Sequence, residues 1–317
     1  MDTTGTLFMP SGASTISGEV DAVFNFILIA GSIIFAIVVG LIIFFSVRYR
    51  RRDKPGLTSG ISHNLKLELT WTIIPVILVF FAFYFGFKTY LKMSIVPGNA
   101  IEIKATGQKW FWSFDYPEGV TTVNELVVPV DQPVKVLLSS QDVIHSFFVP
   151  NFRIKMDVLP NRYTVTWFEA HQKGEYNLFC AEYCGTEHSE MVGKVRVVSE
   201  SEYQNWLEES STAGEGMTPA EYGAKLYISK SCNTCHSIDG TAGNGPSFKN
   251  IFGKTEKFAD GSQAVVDENY LRESILEPAN KIVAGYQNIM PTYQGLVKDR
   301  EIDALIAYMK TLSNEQQ

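Results

Sequence analysis

From Ala22 to Val47 (AVFNFILIAGSIIFAIVVGLIIFFSV) the chain has no Asp, Glu, Lys or Arg. That absence excludes a helix on the surface of a soluble domain, and at about 1.5 Å per residue the run outlasts the roughly 30 Å hydrocarbon core of a bilayer. It reads as a transmembrane helix. The run is too long for a signal-peptide core and lacks a small-residue cleavage site at its end, and the opening MDTTGTLF shows no leader pattern. A basic excess is also missing: the formal net charge is −7, and beyond position 92 acids outnumber bases. This is no nucleic-acid footprint, whereas a basic protein partner would be steered toward the acidic part. No internal repeat is evident. Cysteine and histidine are scarce, four and five among 317 residues, so each can be followed individually.

A second uncharged run, Leu69 to Phe87 (LTWTIIPVILVFFAFYFGF), is just long enough to cross, and its Pro75 is tolerated because neighbouring helices satisfy the freed carbonyl. The two runs make a membrane hairpin. Between them RYRRRDKPG gathers Arg48, Arg50, Arg51, Arg52 and Lys54, so the positive-inside rule puts this loop in the cytoplasm and both termini outside.

The outward part changes character twice. From Ala100 to about Val198, short alternating runs (IEIKA, PVKVLL, YTVTWF, YNLF, KVRVV) are separated by turn clusters such as PEG, DQP and PNR, the pattern of an antiparallel sandwich or barrel. Ser199 to Glu202 is a capping box opening a short helix, after which ESSTAGEG reads as a flexible linker. TPAE at Thr218 to Glu221 is a second capping box with proline at the first helical position. The helical pattern closes from Asp299 with Ile302, Leu305, Ile306 and Met309 on one face.

All four cysteines lie in two motifs. Cys232-Asn233-Thr234-Cys235-His236 is CxxCH, a c-type haem attachment in which the thiols bond the haem vinyls and the imidazole reaches the iron. The alternative is a redox or zinc CxxC that happens to precede a histidine. A second axial ligand is expected from Met290, in the loop NIMPTY, because Met309 sits on an apolar helical stripe and Met217 lies too near the capping box to fold back.

The other motif, CAEYCGTEHSEM, spans Cys180 to Met191. Soft thiolate and thioether donors favour copper, and Met191 speaks against structural zinc. A mononuclear blue-copper site takes one cysteine, so a second thiolate implies a second metal ion. Each ion then needs one histidine. His188 supplies one; His145, at the end of a β run in QDVIHSFFVP, is preferred for the other over His171 in the polar turn EAHQKGE. A Cys180–Cys184 disulfide is the plain alternative.

The stretches CAEYCGTEHSEM, DVIHSFFVP, GQKWFWSFDY and ELTWTIIP together resemble subunit II of haem-copper cytochrome c oxidases, and the C-terminal part resembles the cytochrome c module fused to that subunit in some bacterial oxidases. The resemblance implies a two-helix transmembrane hairpin, an all-β cupredoxin-like sandwich or barrel, and an all-α cytochrome c domain. It implies a binuclear copper A centre on His145, Cys180, the Glu182 backbone carbonyl, Cys184, His188 and Met191. It also implies a magnesium ion on the Glu182 carboxylate at the interface with the catalytic subunit, and electron input at Trp110 with Trp112 beside it. Both tryptophans also suit a β core, and Phe111 stands where many relatives carry tyrosine. Glu68 corresponds to the cytoplasmic mouth of a proton channel; an acid near a helix N-terminus is also favoured there by the dipole alone.

The expected segments are an outer N-terminal arm (1–19), the hairpin (20–95), the copper A domain (96–199), a short helix and linker (200–217) and the cytochrome c domain (218–317). The expected function is an electron relay: an external cytochrome c or a cytochrome-containing respiratory complex reduces covalent haem c, which reduces copper A. The copper in turn feeds a separate polytopic subunit I, accompanied by other oxidase subunits, that reduces oxygen and pumps protons. This chain alone offers no open metal position for oxygen. A short linker keeps the two domains at high effective concentration. The expected location is the bacterial cytoplasmic membrane, the spans in lipid and both redox domains on the periplasmic side. The rival readings are the copper A subunit of a nitric oxide reductase and a membrane-anchored electron carrier, the latter disfavoured because a mere anchor needs one helix.

Overall fold

The computed structural model describes residues 5–50 and 60–313, so Arg51, Arg52 and Lys54 of the basic loop lie outside the described residues. Both apolar runs are helical and extend past their uncharged cores. α1 (Ser17–Arg48) and α2 (Leu65–Ser94) have 32 and 30 residues, and their most apolar windows bury no residue against the rest of the chain. A helix apolar all round and unburied by protein suits lipid. The two are tied at one end by Lys92 Nζ to Glu19 Oε1 at 2.6 Å.

α1 begins at Ser17 because the preceding arm is held by the β domain. Ala13 is fully buried, its N–H donates to the Asn151 carbonyl at 2.9 Å, and Ser14 Oγ donates to the Phe152 carbonyl at 2.8 Å. Arg153 then clamps Asp21 in the first turns of α1 with two bonds, 2.7 and 3.0 Å, and reaches the Pro10 carbonyl at 2.7 Å.

The alternating runs form ten strands: β1 (Ile101–Gln108), β2 (Phe111–Asp115), β3 (Thr121–Val123), β4 (Glu125–Pro129), β5 (Pro133–Ser140), β6 (His145–Val149), β7 (Ile154–Val158), β8 (Thr164–Glu169), β9 (Gly174–Cys180) and β10 (Val192–Val198). They pair into two five-stranded sheets ordered β3-β2-β1-β5-β8 and β4-β10-β9-β6-β7. β1 and β5 run parallel, as do β10 and β4; the remaining pairs are antiparallel. Period-two alternation puts Ile103 and Ala105 inside and Glu102 and Lys104 outside. Trp112, Phe114, Leu126, Leu138, Phe147 and Leu178 are fully buried between the sheets, each worth about 1.5–3 kcal/mol.

The capping box at Ser199 is present, with Glu202 Oε2 accepting the Ser199 N–H at 2.7 Å, and opens α3 (Glu200–Ser211). The helix runs three residues into the expected linker ESSTAGEG. Burial of Tyr203 and Leu207 against the β domain, with Trp206 on Tyr116 at 5.0 Å, supplies the packing that extends it.

The C-terminal part is helical, with α4 (Pro219–Ser229), α5 (Glu268–Leu276) and α6 (Asp299–Thr311), and one small hairpin of β11 (Thr255–Lys257) and β12 (Gln263–Val265). α4 opens on the second capping box, Glu221 Oε2 accepting the Thr218 N–H at 2.9 Å. It crosses α6 so closely that a Cβ on Gly223 would strike the Ala304 carbonyl oxygen. Ile302, Leu305, Ile306 and Met309 bury as their spacing predicts.

Candidate metal centres

Strand pairing assembles the first centre. β6 and β9 place Phe147 opposite Cys180, which brings His145 at the head of β6 to the thiol at the end of β9. The 180–191 loop returns through a 3₁₀ turn at His188–Glu190 to Met191, whose carbonyl accepts the Cys180 N–H at 3.3 Å. The donors then meet: His145 Nδ1 to Cys180 Sγ 3.8 Å, Cys184 Sγ to His188 Nδ1 3.4 Å, and Cys184 Sγ to Met191 Sδ 3.8 Å. The Glu182 carbonyl oxygen is 3.2 Å from Cys180 Sγ, while the residue itself is exposed. The two sulfurs stand 3.9 Å apart, nearly twice the roughly 2.05 Å of an S–S bond, so they are free thiols. His171 is not in this group; its N–H donates to the Ala13 carbonyl.

The electrostatics of the site call for positive charge. Burial pushes the Cys184 thiol up to about 12, reinforced by the neighbouring Cys180. At Cys180 burial acts the same way, but bonds to His145 and the backbone outweigh it and lower the value. Two thiolates this close ionise together only around cations. The residues therefore fit a copper pair by donor softness, proximity and charge.

Asp142, not singled out in the sequence, orients His145. Its carboxylate takes the imidazole Nε2 at 2.8 Å and the Lys109 and Val143 N–H groups at 2.9 and 2.6 Å. Burial opposes its charge, yet these bonds hold it below the usual carboxylate range. With Nε2 so engaged, Nδ1 faces Cys180. Burial likewise lowers the His145 value, but Asp142 and Cys180 outweigh it and raise it. A Cβ on Gly107 would lie 2.9 Å from His145 Cδ2, so β1 presses on the ring. Trp112 is fully buried and meets the His145 ring edge-on, centroids 6.0 Å apart.

The second centre is a cavity of about 410 Å³, within the usual range of cofactor sites. Cys232, Cys235, His236, Met290, Ile275 and Tyr293 are among its walls. His236 Nδ1 donates to the Pro246 carbonyl at 2.7 Å and its ring stacks on Phe248 at 4.7 Å, leaving Nε2 as the free lone pair. Burial lowers the His236 pKa, which favours the neutral imidazole a metal needs. Burial pushes the Cys232 thiol up to about 12; at Cys235 burial and then Glu187, from the β domain, raise the value. A hydrophobic slot lined by two thiols, one oriented imidazole and a half-buried methionine fits a thioether-linked haem. Met309 also reaches this cavity from the α6 stripe, whereas Met217 packs elsewhere on the helical core.

Trp110 lies between the domains, in a cleft lined by Gly185 on one side and Pro278, Met290 and Pro291 on the other. Glu68 is remote from both centres. It accepts the Asn64 N–H at 3.2 Å and pairs with His63 Nδ1 at 2.7 Å at the start of α2, as a helix-terminal acid does.

Family models give three matches: the cytochrome c oxidase subunit II transmembrane domain over residues 2–88, its periplasmic domain over 118–198, and cytochrome c over 220–313. Cytochrome c oxidase subunit 2 of Alkalihalophilus pseudofirmus is 35% identical over 285 residues, covering 85% of this chain and 81% of the relative. That of Bacillus subtilis is 30% identical over 307 residues, covering 86% and 83%. Among solved structures, the periplasmic domain of subunit II of cytochrome oxidase from Bradyrhizobium japonicum is 35% identical. It covers 37% of this chain and 98% of that one, with a TM-score of 0.36.

Proposed function

Because this chain belongs to the cytochrome c oxidase subunit II family and carries a C-terminal cytochrome c domain, we propose that it is the electron-input subunit of a respiratory oxidase. When bound, haem c and a binuclear copper A would supply one-electron redox chemistry, taking electrons from an external cytochrome and delivering them to a polytopic catalytic subunit I that reduces oxygen and pumps protons. The observation that carries the reading is the meeting of two thiols, two imidazoles, a thioether and a carbonyl within contact distance around Cys180 and Cys184.

His145 through Nδ1, Cys180, the Glu182 carbonyl, Cys184, His188 and Met191 would hold the copper pair. Asp142 keeps His145 in the tautomer that presents Nδ1. Cys232 and Cys235 would bond the haem, and His236 through Nε2 together with Met290 would hold its iron. The exposed Glu182 carboxylate is free to take a magnesium ion where subunit I packs. Trp110 and Trp112 lead toward the copper side. Because residues of the cytochrome domain line the Trp110 cleft, an external donor reaches the haem rather than Trp110 directly. Glu68, on the side of the Arg48 end of α1, marks the cytoplasmic mouth of a proton path continued in subunit I, with both redox domains outside a bacterial inner membrane.

Metal analysis and electron paramagnetic resonance of the full chain in detergent test this. The expected result is two coppers and one covalent haem per chain, with the unpaired electron shared over both copper nuclei. A single copper, zinc, or a Cys180–Cys184 disulfide would overturn it. Nitric oxide rather than oxygen consumption by the purified complex would move the chain to a nitric oxide reductase, and failure to co-purify a polytopic subunit would leave a tethered carrier.

A further inference from the structure

Two contacts between the β domain and the cytochrome domain converge on Lys230 and Ser231, the two residues before Cys232. The first point is Asn124, between β3 and β4, at φ +58°. Asparagine is among the few residues at ease in that left-handed region. Its N–H donates to the Trp112 carbonyl at 2.7 Å, its Oδ1 accepts the Trp112 N–H at 2.8 Å, and its carbonyl accepts the Lys194 N–H at 2.8 Å. With these groups fixed, the amide Nδ2 points across the boundary and donates to Ser231 Oγ at 3.1 Å. The turn itself needs only the positive φ and the Trp112 bonds, so the bond to Ser231 is additional to local structure.

The second point is a parallel stack of Phe111 on Tyr293, centroids 5.8 Å apart and planes 6° from parallel. Both rings are buried, and the Tyr293 hydroxyl donates to the Lys230 carbonyl at 3.0 Å. Lys230 is itself buried, its ammonium on the Leu296 carbonyl at 3.1 Å and 3.3 Å from Glu301. The dipeptide is thus held from the β-domain side by Asn124 directly and by Phe111 through Tyr293. Phe111 and Trp112 are adjacent in β2, and Trp112 meets the His145 ring, while Ser231 is covalently next to Cys232.

We propose that Asn124, with Phe111, forms a latch that positions the Cys232 side of the haem domain against the Trp112–His145 side of the copper domain. Asn124 is a positioning residue, and the inference rests on the two-centre reading above. The exchange it serves is one electron, lost by the group on Cys232 and Cys235 and gained by the group on Cys180 and Cys184, with no atom transferred.

The test uses the full chain in detergent, loaded with haem and copper. Asn124→Gly and Ser231→Gly suit the positive φ at both sites, +58° and +60°. Two readouts are taken: hydrogen-exchange protection of the Lys230, Ser231 and Thr234 amides, and the rate of internal electron transfer after pulsed reduction of the haem. Each single variant should lower protection about fivefold, the factor one hydrogen bond is worth. Each should slow the internal transfer, with copper resonance and haem spectrum unchanged. The double variant should lose no more than Asn124→Gly alone, because Ser231→Gly removes only a bond that Asn124→Gly, which also loses the Oδ1 acceptor of the Trp112 N–H, already removes. Wild-type protection, a wild-type transfer rate or additive losses would each overturn the latch. Absence of internal transfer in the wild type would instead overturn the two-centre reading, and the protection data would still judge the contact. If Asn124→Gly fails to fold, Ser231→Gly reports on the same bond from the other side.

Discussion

Replacing Gly245 by alanine tests whether the His236 imidazole is held by contact. The added Cβ would lie 2.5 Å from Cε1, 2.7 Å from Nδ1 and 3.0 Å from Nε2 of that ring. Non-bonded carbons sit at about 3.5–4.0 Å, so ring or loop must yield by about 1 Å. The ring has little freedom: Phe248 stacks on it, and Nδ1 is tied to the Pro246 carbonyl at 2.7 Å. A displacement of about 1 Å takes that bond beyond hydrogen-bond range. Overpacking costs about 1–3 kcal/mol and the lost bond about 1 kcal/mol, so the domain should lose about 2–4 kcal/mol. For a domain of this size that lowers Tm by at least about 8 °C. Calorimetry of the haem-loaded full chain measures the loss. The visible spectrum measures ligation: the haem should stay attached through Cys232 and Cys235 while the imidazole-ligated signature weakens. Gly240→Ala is the control, since its φ of +94° brings backbone strain but its nearest added contact is Lys249 Cδ at 3.4 Å. It should lose stability without changing ligation. A Gly245→Ala protein with wild-type Tm and spectrum would refute the contact argument.

Met191→Leu keeps the volume of a fully buried side chain, so stability should fall by less than about 1.5 kcal/mol. Removing the thioether 3.8 Å from Cys184 Sγ should still change the copper resonance and slow oxidase turnover; unchanged values of both count against Met191 as a ligand. Arg153→Lys retains the charge but loses the two-pronged grip on Asp21 and the bond to the Pro10 carbonyl. Hydrogen exchange over residues 9–17 should rise, and an unchanged pattern would show that the arm is held by Ala13 and Ser14 alone. Glu202 is held down at about 2 by the Ser199 hydroxyl and N–H, with Lys173 adding to them. A depressed carboxylate stabilises above its ordinary 4.5, and this contribution is lost as pH falls from there through about 2. Protection of the α3 amides relative to their intrinsic exchange at each pH should therefore fall over that window in the wild type, and Glu202→Gln should remove that change.

Much of the fold was legible because its signals are local. Charge-free runs, the two Ser/Thr-x-x-Glu boxes, the CxxCH motif and the α6 stripe each declare themselves within one continuous stretch of sequence. The helix that runs three residues into ESSTAGEG does so for a non-local reason, the burial of Tyr203 and Leu207 on the β domain. Contacts between distant residues left no such mark. Asp142 lies three residues before His145, but only the β5–β6 turn aims its carboxylate at Nε2. Gly107 and Gly245 look like any other glycine in the sequence, yet a Cβ at either would strike an imidazole. Asn124 reaches Ser231 across 107 residues, a separation over which no periodicity speaks.

The two imidazoles are oriented by one device with different electrical consequences. Each has one ring nitrogen fixed on a protein acceptor and the other turned to the site, with a glycine against the ring. At His236 the acceptor is the neutral carbonyl of Pro246, which adds no charge to that centre. At His145 the acceptor is the Asp142 carboxylate, held ionised by its bonds. With Cys180 and Cys184 both ionised around a metal, it would make three negative charges in and beside a buried cluster. One divalent ion would leave that cluster net negative, which burial penalises heavily. Two copper ions sharing a total charge of three would balance it. The carboxylate behind His145 thus adds to the charge that two ionised cysteines would bring, and with them favours a metal pair over one divalent ion.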